Sequence, residues 1–345
     1  MKLKEFQQIL KTNNIDYVLL FNHPNKIDPN FQYFSGINSI FACLAISKKG
    51  KPKLFASIIE ADIAKKNSTI KDVITITKDL YEQIRKNFKG KQIGLNYNYI
   101  SLNGIKRLKK EFKGSTFVDI SKSLEVLRIT KTKKEIEYTK KSCTIISNIL
   151  TDTIKNFKKF KTEIDVREYV EAKIKKLNLE LSFPVIVASG PNSKNPHHFP
   201  VNQKLKGFTI LDMGVKYKGY CSDISRTIYV GKPSKHEIET YNLVLNTQLE
   251  CINKIPKLSP AELHDLALNK LGKHFIHALG HGTGIEIHEP PGITFKSKDK
   301  LKEGMIITIE PGYYNKFGIR IEDDILITKK GYETLTNVNK ELIII

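Results

Sequence analysis

Acidic residues stand inside apolar, strand-forming runs in the second half of this 345-residue sequence, where a buried ionised side chain is costly unless it is paired. Residues 210–223 predict a β-hairpin with its turn at 217–218 or at 218–219. The first register pairs Asp212 directly with Asp223 and the second makes them diagonal neighbours, but both place the two carboxylates on one face. Two carboxylates buried together require a cation or a shared proton. Two aspartates that face water beside a turn require neither, so the pair alone leaves both interpretations open.

Two glutamates stand in similar positions later in the chain. Glu310 follows the apolar run 305–309 and is itself followed by Pro-Gly, which predicts the end of a strand. Glu322 lies in the run 319–325, where Arg320 and Glu322 alternate with isoleucines as on a strand with one polar face. A strand that faces water gives the same stripe, so Glu322 is not informative alone. Glu310 is harder to assign to the surface because largely apolar strand-formers lead into it.

Histidines are concentrated in one glycine-rich segment. Three of the nine in the chain, His277, His281 and His288, fall within twelve residues. Glycines on both sides of His281 permit a close approach of neighbouring backbone. A single histidine is more often structural, but three in such a segment indicate a functional site.

Taken together, these residues form a candidate two-metal site. Two divalent cations offset the charge of four carboxylates, which would otherwise repel one another in a shared pocket. Oxygen-rich ligation with one imidazole favours Mn²⁺, Co²⁺, Fe²⁺ or Zn²⁺ over Cu⁺. Two such ions roughly 3.5–4 Å apart can hold a bridging hydroxide and polarise a carbonyl, so hydrolysis is the expected chemistry. The candidate ligands are Asp212, Asp223, His281, Glu310 and Glu322.

Two domains are expected. Residues 1–122 predict a small α/β domain with strands at 17–21, 41–47, 52–56, 73–76, 93–96 and 117–120, helices at 2–11, 60–66, 79–88 and 102–112, and a hairpin turn at 48–51. Residues 123–345 begin with a long helix after Thr132, which forms a capping box with Glu135, and continue with helices near 163–177, 235–255 and 260–271. The candidate ligands all lie in this second domain.

Charge and cysteine content bear on the class of protein. The 57 lysines and arginines exceed the 36 aspartates and glutamates and give a net charge of +21. The lysines are scattered over both halves, which favours a solvated surface and disfavours a nucleic-acid site, although a basic nucleic-acid binder is the competing class. Four widely spaced cysteines, no apolar run of membrane-spanning length and no signal-peptide pattern at the N-terminus predict a cytoplasmic protein without disulfides.

At these residues the sequence resembles the metallopeptidase family of prolidase, aminopeptidase P, methionine aminopeptidase and creatinase. The resemblance is carried by LDMGVKYKGYCSDISRT, GHGTGIEIHE, TIEPG and RIEDD, which contain the five candidate ligands, and by SGPNS with the later Pro-His. It implies an α+β pita-bread catalytic domain over 123–345. Residues 1–122 resemble the α/β N-terminal domain of creatinase and prolidase.

The resemblance assigns a role to each candidate ligand. Asp212 is expected to bind one metal ion, while His281 and Glu310 bind the other. Asp223 and Glu322 are expected to bridge both ions. Glu310 is also expected to act as general base towards the bridging water.

Further residues are assigned to the substrate by the same resemblance. His197 and His288 are expected to contact the substrate and to stabilise the tetrahedral intermediate, and His277 matches a position at the substrate pocket. Arg320 is expected to orient Glu322 or one end of the substrate. We also expect an apolar pocket for proline, lined by Tyr313 or Tyr314.

The activity implied is cleavage of Xaa-Pro bonds in dipeptides or short peptides, with an Xaa-Pro aminopeptidase acting on longer peptides as the alternative. Proline has no N–H and a fixed φ, so peptidases that hydrogen-bond an extended substrate backbone lose a contact with it. Mn²⁺ or Co²⁺ is the expected metal, with Zn²⁺ and Fe²⁺ as alternatives, and a homodimer is expected from the family. A non-catalytic binding protein on the same fold is disfavoured because all five ligands are present.

Overall fold

The computed structural model describes residues 2–345 and divides the chain into two units, the second of which spans Ile129–Ile345. The strands of the first unit are β1 (Tyr17–Asn22), β2 (Ala42–Ser47), β3 (Lys53–Ser57), β4 (Asp72–Ile76), β5 (Gln92–Leu95) and β6 (Thr116–Asp119). Its helices are α1 (Leu3–Thr12), α2 (Pro29–Ser35), α3 (Ala61–Asn67), α4 (Leu80–Asn87), α5 (Leu102–Glu111) and α6 (Ser121–Ile129).

The six strands of the first unit form one mixed sheet in the order β4-β3-β2-β1-β5-β6. β1 pairs antiparallel with β2 and parallel with β5, and β2 and β3 form the hairpin that the turn at 48–51 predicts. Ile84 of α4 and Leu108 of α5 are buried against this sheet. All the strands and helices predicted in this unit are present within one residue of the predicted limits.

Two helices of this unit were not predicted, and α2 shows why. Asp28 caps it by accepting a hydrogen bond from Asn30 N, Pro29 occupies its first turn, and Gly36 ends it with a φ of 77°. Seven residues are too few for a helical period to be recognised. The residues at its two ends, Asp28, Pro29 and Gly36, were the sequence features that indicated this helix.

The second unit contains four long helices, which are α7 (Lys133–Lys155), α8 (Glu163–Lys176), α9 (Lys235–Asn253) and α10 (Pro260–Leu271). All four begin at a capping box, including the predicted one in which Thr132 and Glu135 bond each other's main chain. α7 and α8 bury Ile146, Leu150 and Val170 in one core, and α9 and α10 bury Val244 and Leu263 in another.

The strands of the second unit are β7 (Glu180–Leu181), β8 (Ile186–Ser189), β9 (Gly207–Met213), β10 (Val215–Tyr217), β11 (Tyr220–Cys221), β12 (Ile224–Val230), β13 (Gly280–Gly282), β14 (Glu289–Ile293), β15 (Ile306–Ile309), β16 (Gly312–Tyr314), β17 (Gly318–Arg320), β18 (Asp323–Thr328) and β19 (Gly331–Thr334). The sheets with the longer strands have the orders β12-β9-β8 and β14-β13-β15-β18-β19. The small ones are β11-β10-β7 and β16-β17.

The single strand expected over 319–325 is two strands. β17 pairs with β16 and β18 pairs with β15, with Ile321 and Glu322 between them. The chain therefore passes from one sheet to another at Glu322. The alternation of apolar and polar residues continues through the break, so the sequence pattern did not reveal it.

A helix rather than a loop crosses the division between the two units. The division falls between Arg128 and Ile129, inside α6, and the predicted boundary near residue 123 lies in the same helix. Among residues 2–345, no helix has both the length and the apolar character needed to cross a membrane. The four cysteines are free thiols, and all are buried.

Candidate metal centre

A cavity of about 500 Å³ in the second unit collects the polar residues singled out in the sequence. They come from strands, from residues that adjoin strand ends, and from the segments that follow β8 and α10. All nine candidate residues line it, namely His197, Asp212, Asp223, His277, His281, His288, Glu310, Arg320 and Glu322. Residues spread over 126 positions of the chain therefore meet in one place.

The two aspartates are diagonal neighbours. β9 pairs with β12 so that Asp212 faces Ser225, which corresponds to a turn at 218–219. Both turn residues have positive φ, 51° at Lys218 and 85° at Gly219, as a tight hairpin requires. The direct pairing of Asp212 with Asp223 was wrong, whereas the diagonal register and the shared face of the two carboxylates are confirmed.

His281 is held between two glycines that nothing larger could replace. A Cβ on Gly280 would lie 2.0 Å from Thr308 O, and one on Gly282 would lie 2.4 Å from Pro290 O. The His281 main-chain N–H donates to Thr308 Oγ1 at 3.1 Å. The neighbouring strands thus approach the histidine more closely than any side chain at these positions would allow, as the flanking glycines predicted.

Three side chains meet the geometry of a metal site. The ligand atoms of Asp223, His281 and Glu322 all lie within 4.8 Å of one another. His281 Nε2 is 3.6 Å from Asp223 Oδ2 and 3.5 Å from Glu310 Oε1, and its Nδ1 is 3.1 Å from Gly282 O. Donation from Nδ1–H to that carbonyl leaves the Nε2 lone pair directed at the carboxylates. The donor set fits a hard or borderline divalent cation.

The electrostatics of this cluster also favour a cation. Burial, together with the neighbouring carboxylates, raises the pKa of Asp223 and of Glu322 well above their ordinary values. Burial raises the pKa of Glu310 to about 7, and burial beside His288 lowers the pKa of His281 to about 4. Near neutral pH the His281 imidazole is therefore uncharged, and a cation bound among the carboxylates would offset the cost of ionising them in this buried site.

Asp212 lies at the edge of the cluster and meets the only arginine that lines the cavity within residues 2–345. Arg320 Nη2 is 2.6 Å from Asp212 Oδ2, and Arg320 Nε donates to Ser225 Oγ at 3.0 Å. Ser225 Oγ in turn donates to Glu322 Oε2 at 2.8 Å. Arg320 therefore contacts one candidate ligand directly and reaches a second through a serine. The other Asp212 oxygen, Oδ1, is buried with no hydrogen-bond partner among residues 2–345, as a ligand atom would be.

The remaining histidines surround the carboxylates. His288 stacks edge-on against His281 with ring centroids 4.3 Å apart, and its pKa is lowered by burial and by His197. His277 Nε2 is 3.2 Å from Tyr314 Oη, and burial lowers the pKa of His277 to about 4. These neutral rings can donate to or accept from a polar substrate.

The aromatic wall differs from the expected one. Within residues 2–345, neither Tyr313 nor Tyr314 lines the cavity. Tyr314 is buried behind it, where its hydroxyl contacts both His277 and Arg320. The cavity's apolar wall is instead formed by Phe183, Pro184, Val185, Ile186, Phe199 and Ile287.

Comparison with known proteins decides the family. The profile described as metallopeptidase family M24 matches residues 137–329, which is more than half of the chain. The chain belongs to this family. The M24 chain also matches the creatinase/prolidase N-terminal domain over residues 2–130. The predicted fold class, an α/β N-terminal domain followed by a pita-bread catalytic domain, is confirmed, as is the identification as a metallopeptidase.

Several relatives match along almost the whole M24 chain. A protein named Xaa-Pro dipeptidase from Pyrococcus furiosus is 34% identical over 99% of this chain and 99% of its own. A structure described as Xaa-Pro dipeptidase from Bacillus anthracis has a TM-score of 0.90 and 32% identity over 100% of this chain and 99% of its own. A structure described as X-Pro aminopeptidase from Thermotoga maritima has a TM-score of 0.89 and 29% identity over 96% of this chain and 98% of its own.

Sequence reasoning missed residues of the M24 metallopeptidase that hold the candidate ligands from behind. Asp324 Oδ2 accepts the Asp223 main-chain N–H at 2.8 Å. Arg226 donates to Asp323 Oδ1 at 2.8 Å and to the Glu322 carbonyl at 2.6 Å. Three consecutive acids in an apolar strand were the available signal, because a strand must direct one of them away from its neighbours.

Proposed function

We propose that this M24 metallopeptidase hydrolyses the Xaa-Pro bond of dipeptides, using two divalent metal ions. The observation that carries the proposal is the convergence of nine polar residues on one cavity, with the ligand atoms of Asp223, His281 and Glu322 within 4.8 Å. The relatives from P. furiosus and B. anthracis that are named Xaa-Pro dipeptidase support this substrate class.

The residues that would hold the ions are assigned by position. Asp212 would bind one ion, His281 and Glu310 the other, and Asp223 and Glu322 both. When bound, divalent ions act as a Lewis acid on the scissile carbonyl and lower the pKa of water. The oxygen-rich donor set makes Mn²⁺ or Co²⁺ our first choice.

The protein's own groups would carry the remaining steps. Glu310 takes the proton of the attacking water, a role open to a carboxylate that lines the cavity beside His281. His197 and His288, on the cavity wall, hydrogen-bond the substrate and stabilise the tetrahedral oxygen. Arg320 holds Asp212 in place through their 2.6 Å contact. The apolar wall that includes Phe183 and Ile287 receives the proline ring.

The test is hydrolysis of Leu-Pro, Leu-Pro-Gly and Leu-Ala by the chelated protein after addition of Mn²⁺ or Co²⁺. Metal-dependent cleavage of Leu-Pro, with little cleavage of Leu-Ala, supports the proposal. Equal rates on Leu-Pro and Leu-Ala would remove the proline specificity, and no metal-dependent cleavage of any peptide would remove the activity. D223N should abolish cleavage, whereas D299N, at an exposed acid outside the cavity, should leave it intact.

An Xaa-Pro aminopeptidase is the second candidate, because the T. maritima structure described as X-Pro aminopeptidase is similar over 96% of this chain. Efficient cleavage of Leu-Pro-Gly distinguishes it from a dipeptidase. A homodimer is proposed from the family alone, and light scattering of the purified protein measures it.

A further inference from the structure

Glu163 is a fully buried carboxylate that the proposed reaction does not use. It is the first residue of α8, yet the capping box of that helix uses Asp165 instead. Within residues 2–345 the cavity lining includes His197 and His198 but not Glu163. Glu163 therefore stands beside the candidate site without reaching its interior.

Within residues 2–345, the four side-chain hydrogen bonds of Glu163 all go to one segment, residues 189–201. Its Oε1 accepts from Ser189 N at 2.7 Å and from Asn192 Nδ2 at 3.0 Å. Its Oε2 lies 2.8 Å from His198 Nε2 and accepts from Val201 N at 3.0 Å. Because an ionised carboxylate only accepts, His198 is the donor in its contact. One carboxylate thus binds the segment at both ends and in the middle.

The opposite side of this segment is fixed by the strand that carries Arg320. Ser193 Oγ accepts from Gly318 N at 2.8 Å, and Arg320 Nη1 donates to the Pro196 carbonyl at 3.2 Å. A Cβ on Gly318 would lie 1.9 Å from Ser193 O, so glycine is required for this contact. The SGPNS motif is thereby explained, because its first and fourth residues bind Glu163 and its fifth binds Gly318.

His197 lies between these two sets of contacts. The segment has one short 3₁₀ turn at Gly190–Lys194 and no helix or strand from 195 to 201, so side-chain bonds determine its course. His198 points back to Glu163, and the adjacent His197 lines the cavity.

We propose that Glu163 is a positioning residue, which fixes His197 at the cavity by holding residues 189–201 through four hydrogen bonds. The inference rests on the proposed function insofar as His197 contacts the substrate. Glu163 exchanges no proton with substrate, and its four side-chain hydrogen bonds go to Ser189, Asn192, His198 and Val201, none of which is a candidate metal ligand. Its effect on the reaction passes through the segment alone.

The test is a double-mutant cycle between E163Q and H197A, scored by kcat and KM on a peptide that the wild type cleaves. Glutamine places an NH₂ against two donors, so the segment should shift and kcat/KM should fall at least tenfold, mainly through kcat. In the H197A background the same change should cost less than twofold, because the residue it positions is gone. Equal losses in both backgrounds would overturn the proposal.

D165N is the matched control, since the Asp165 carboxylate accepts from the main-chain N–H groups of Lys161 and Thr162 at the start of the same helix and not from residues 189–201. It should change kcat/KM by less than twofold. N192A, which removes one of the four donors, should give a smaller loss in the same direction and serves if E163Q folds poorly. An unchanged kcat/KM in a folded N192A protein with intact metal content would count against the proposal.

Hydrogen exchange of the metal-free protein tests the anchor without activity. Amides of residues 189–203 should exchange faster in E163Q than in the wild type, and at the wild-type rate in D165N. Unchanged exchange in E163Q would overturn the proposal. If the wild type cleaves no proline peptide, the proposed function fails while this measurement still decides whether Glu163 holds the segment.

Discussion

Arg320 makes polar contacts on several sides of the candidate site. Its guanidinium donates to Asp212, Tyr314, Ser225 and the Pro196 carbonyl, at 2.6 to 3.2 Å. A planar group with five donors can satisfy these acceptors together, and a lysine cannot. Arg320 is therefore better described as the residue that sets the position of Asp212 than as one that contacts Glu322 directly.

R320K should reduce kcat/KM by on the order of 100-fold, because Asp212 and the 189–201 segment lose a shared donor. Steady-state kinetics on the metal-loaded protein measures this. R167K is the matched control and should be neutral, because Arg167 is a partly exposed arginine of α8 that forms ion pairs with Glu168 and Glu171, outside the cavity. An R320K protein with wild-type kinetics would show that a positive charge is enough to position Asp212 and that the additional donors of arginine are not needed.

The raised carboxylate pKa values make metal binding depend on pH. In the metal-free site, burial and the neighbouring carboxylates raise the pKa of Asp223 and of Glu322, and burial raises the pKa of Glu310 to about 7. Binding of Mn²⁺ should therefore release protons near this pH, and its affinity should rise with pH. Calorimetric titration in buffers of different ionisation enthalpy counts the protons. Zero release at pH 7 would contradict the protonated state of the site.

The candidate residues could be identified from the sequence because each stands in a distinctive local run. Their supporting residues could not be assigned in this way, although the run of three consecutive acids at 322–324 was a signal. Asp324 continues the same alternation as a surface acid, and only the fold brings its carboxylate to Asp223 N. Glu163 sits in a helix start where an acid is common, so nothing local distinguishes it from an exposed one.

Among the elements, β13 depends on the two glycines that flank His281. G280A places a Cβ 2.0 Å from Thr308 O, which must separate β13 from its neighbour β15. We expect a loss of about 1–3 kcal/mol in unfolding free energy and a displaced His281. Chemical denaturation and metal affinity measure the two effects.

G292A is the matched control for this change. A Cβ at Gly292 meets only Thr294 Cγ2, at 3.5 Å, which is ordinary contact. It should leave unfolding free energy and metal affinity nearly unchanged. Wild-type metal affinity in G280A would show that the position of His281 does not depend on the close approach of β13 and β15.

Helices and strands could be predicted where residues close in sequence determine where they begin and end. The four long helices of the second unit begin at caps that the chain itself supplies, and α7 starts where Thr132 and Glu135 indicated. The break between β17 and β18 depends on which strands lie alongside, so an unbroken alternation concealed it. The hairpin register had two solutions in the sequence, and the φ values at 218–219 selected one.

At the scale of the whole molecule, the metal-free protein should lose stability as the pH rises. The folded pKa values of Glu310, Asp223 and Glu322 exceed their unfolded values, so their contribution is present at low pH and is lost as the pH rises through the folded values. His277 and His281, with lowered pKa values, act oppositely but only below about pH 6.5. The net fall should therefore appear above that pH.

Thermal unfolding of the chelated protein between pH 6.5 and 8.5 tests this expectation. The Tm should fall by several degrees over this range, and added Mn²⁺ should raise it more at pH 8.5 than at pH 6.5. In D223N/E322Q the decrease with pH should be smaller, since two of the three groups no longer titrate. A Tm that rises with pH in the wild type would contradict the buried, protonated carboxylates.

The two-domain organisation was predictable from the change in pattern, but the nature of the division was not. α6 carries buried Leu124 and Leu127 before the division, and Ile129, just after it, packs into the core of α9 and α10. A change in sequence pattern between two domains usually suggests that a flexible segment connects them. Here α6 itself spans the division, with Arg128 in the first unit and Ile129 in the second.

That continuity has a practical consequence for work on the catalytic half in isolation. A shortened chain that starts at Ile129 loses eight of the nine residues of α6 and keeps only the last one. One that starts at Asp119 keeps the whole helix and the bond from Ser121 N to Asp119 Oδ1 at 2.9 Å, together with Leu124 and Leu127, which are buried in the intact chain. Proteases, which require several residues of unwound backbone, should likewise find no site at this junction. Intact protein is therefore the right material for both kinetics and crystallisation.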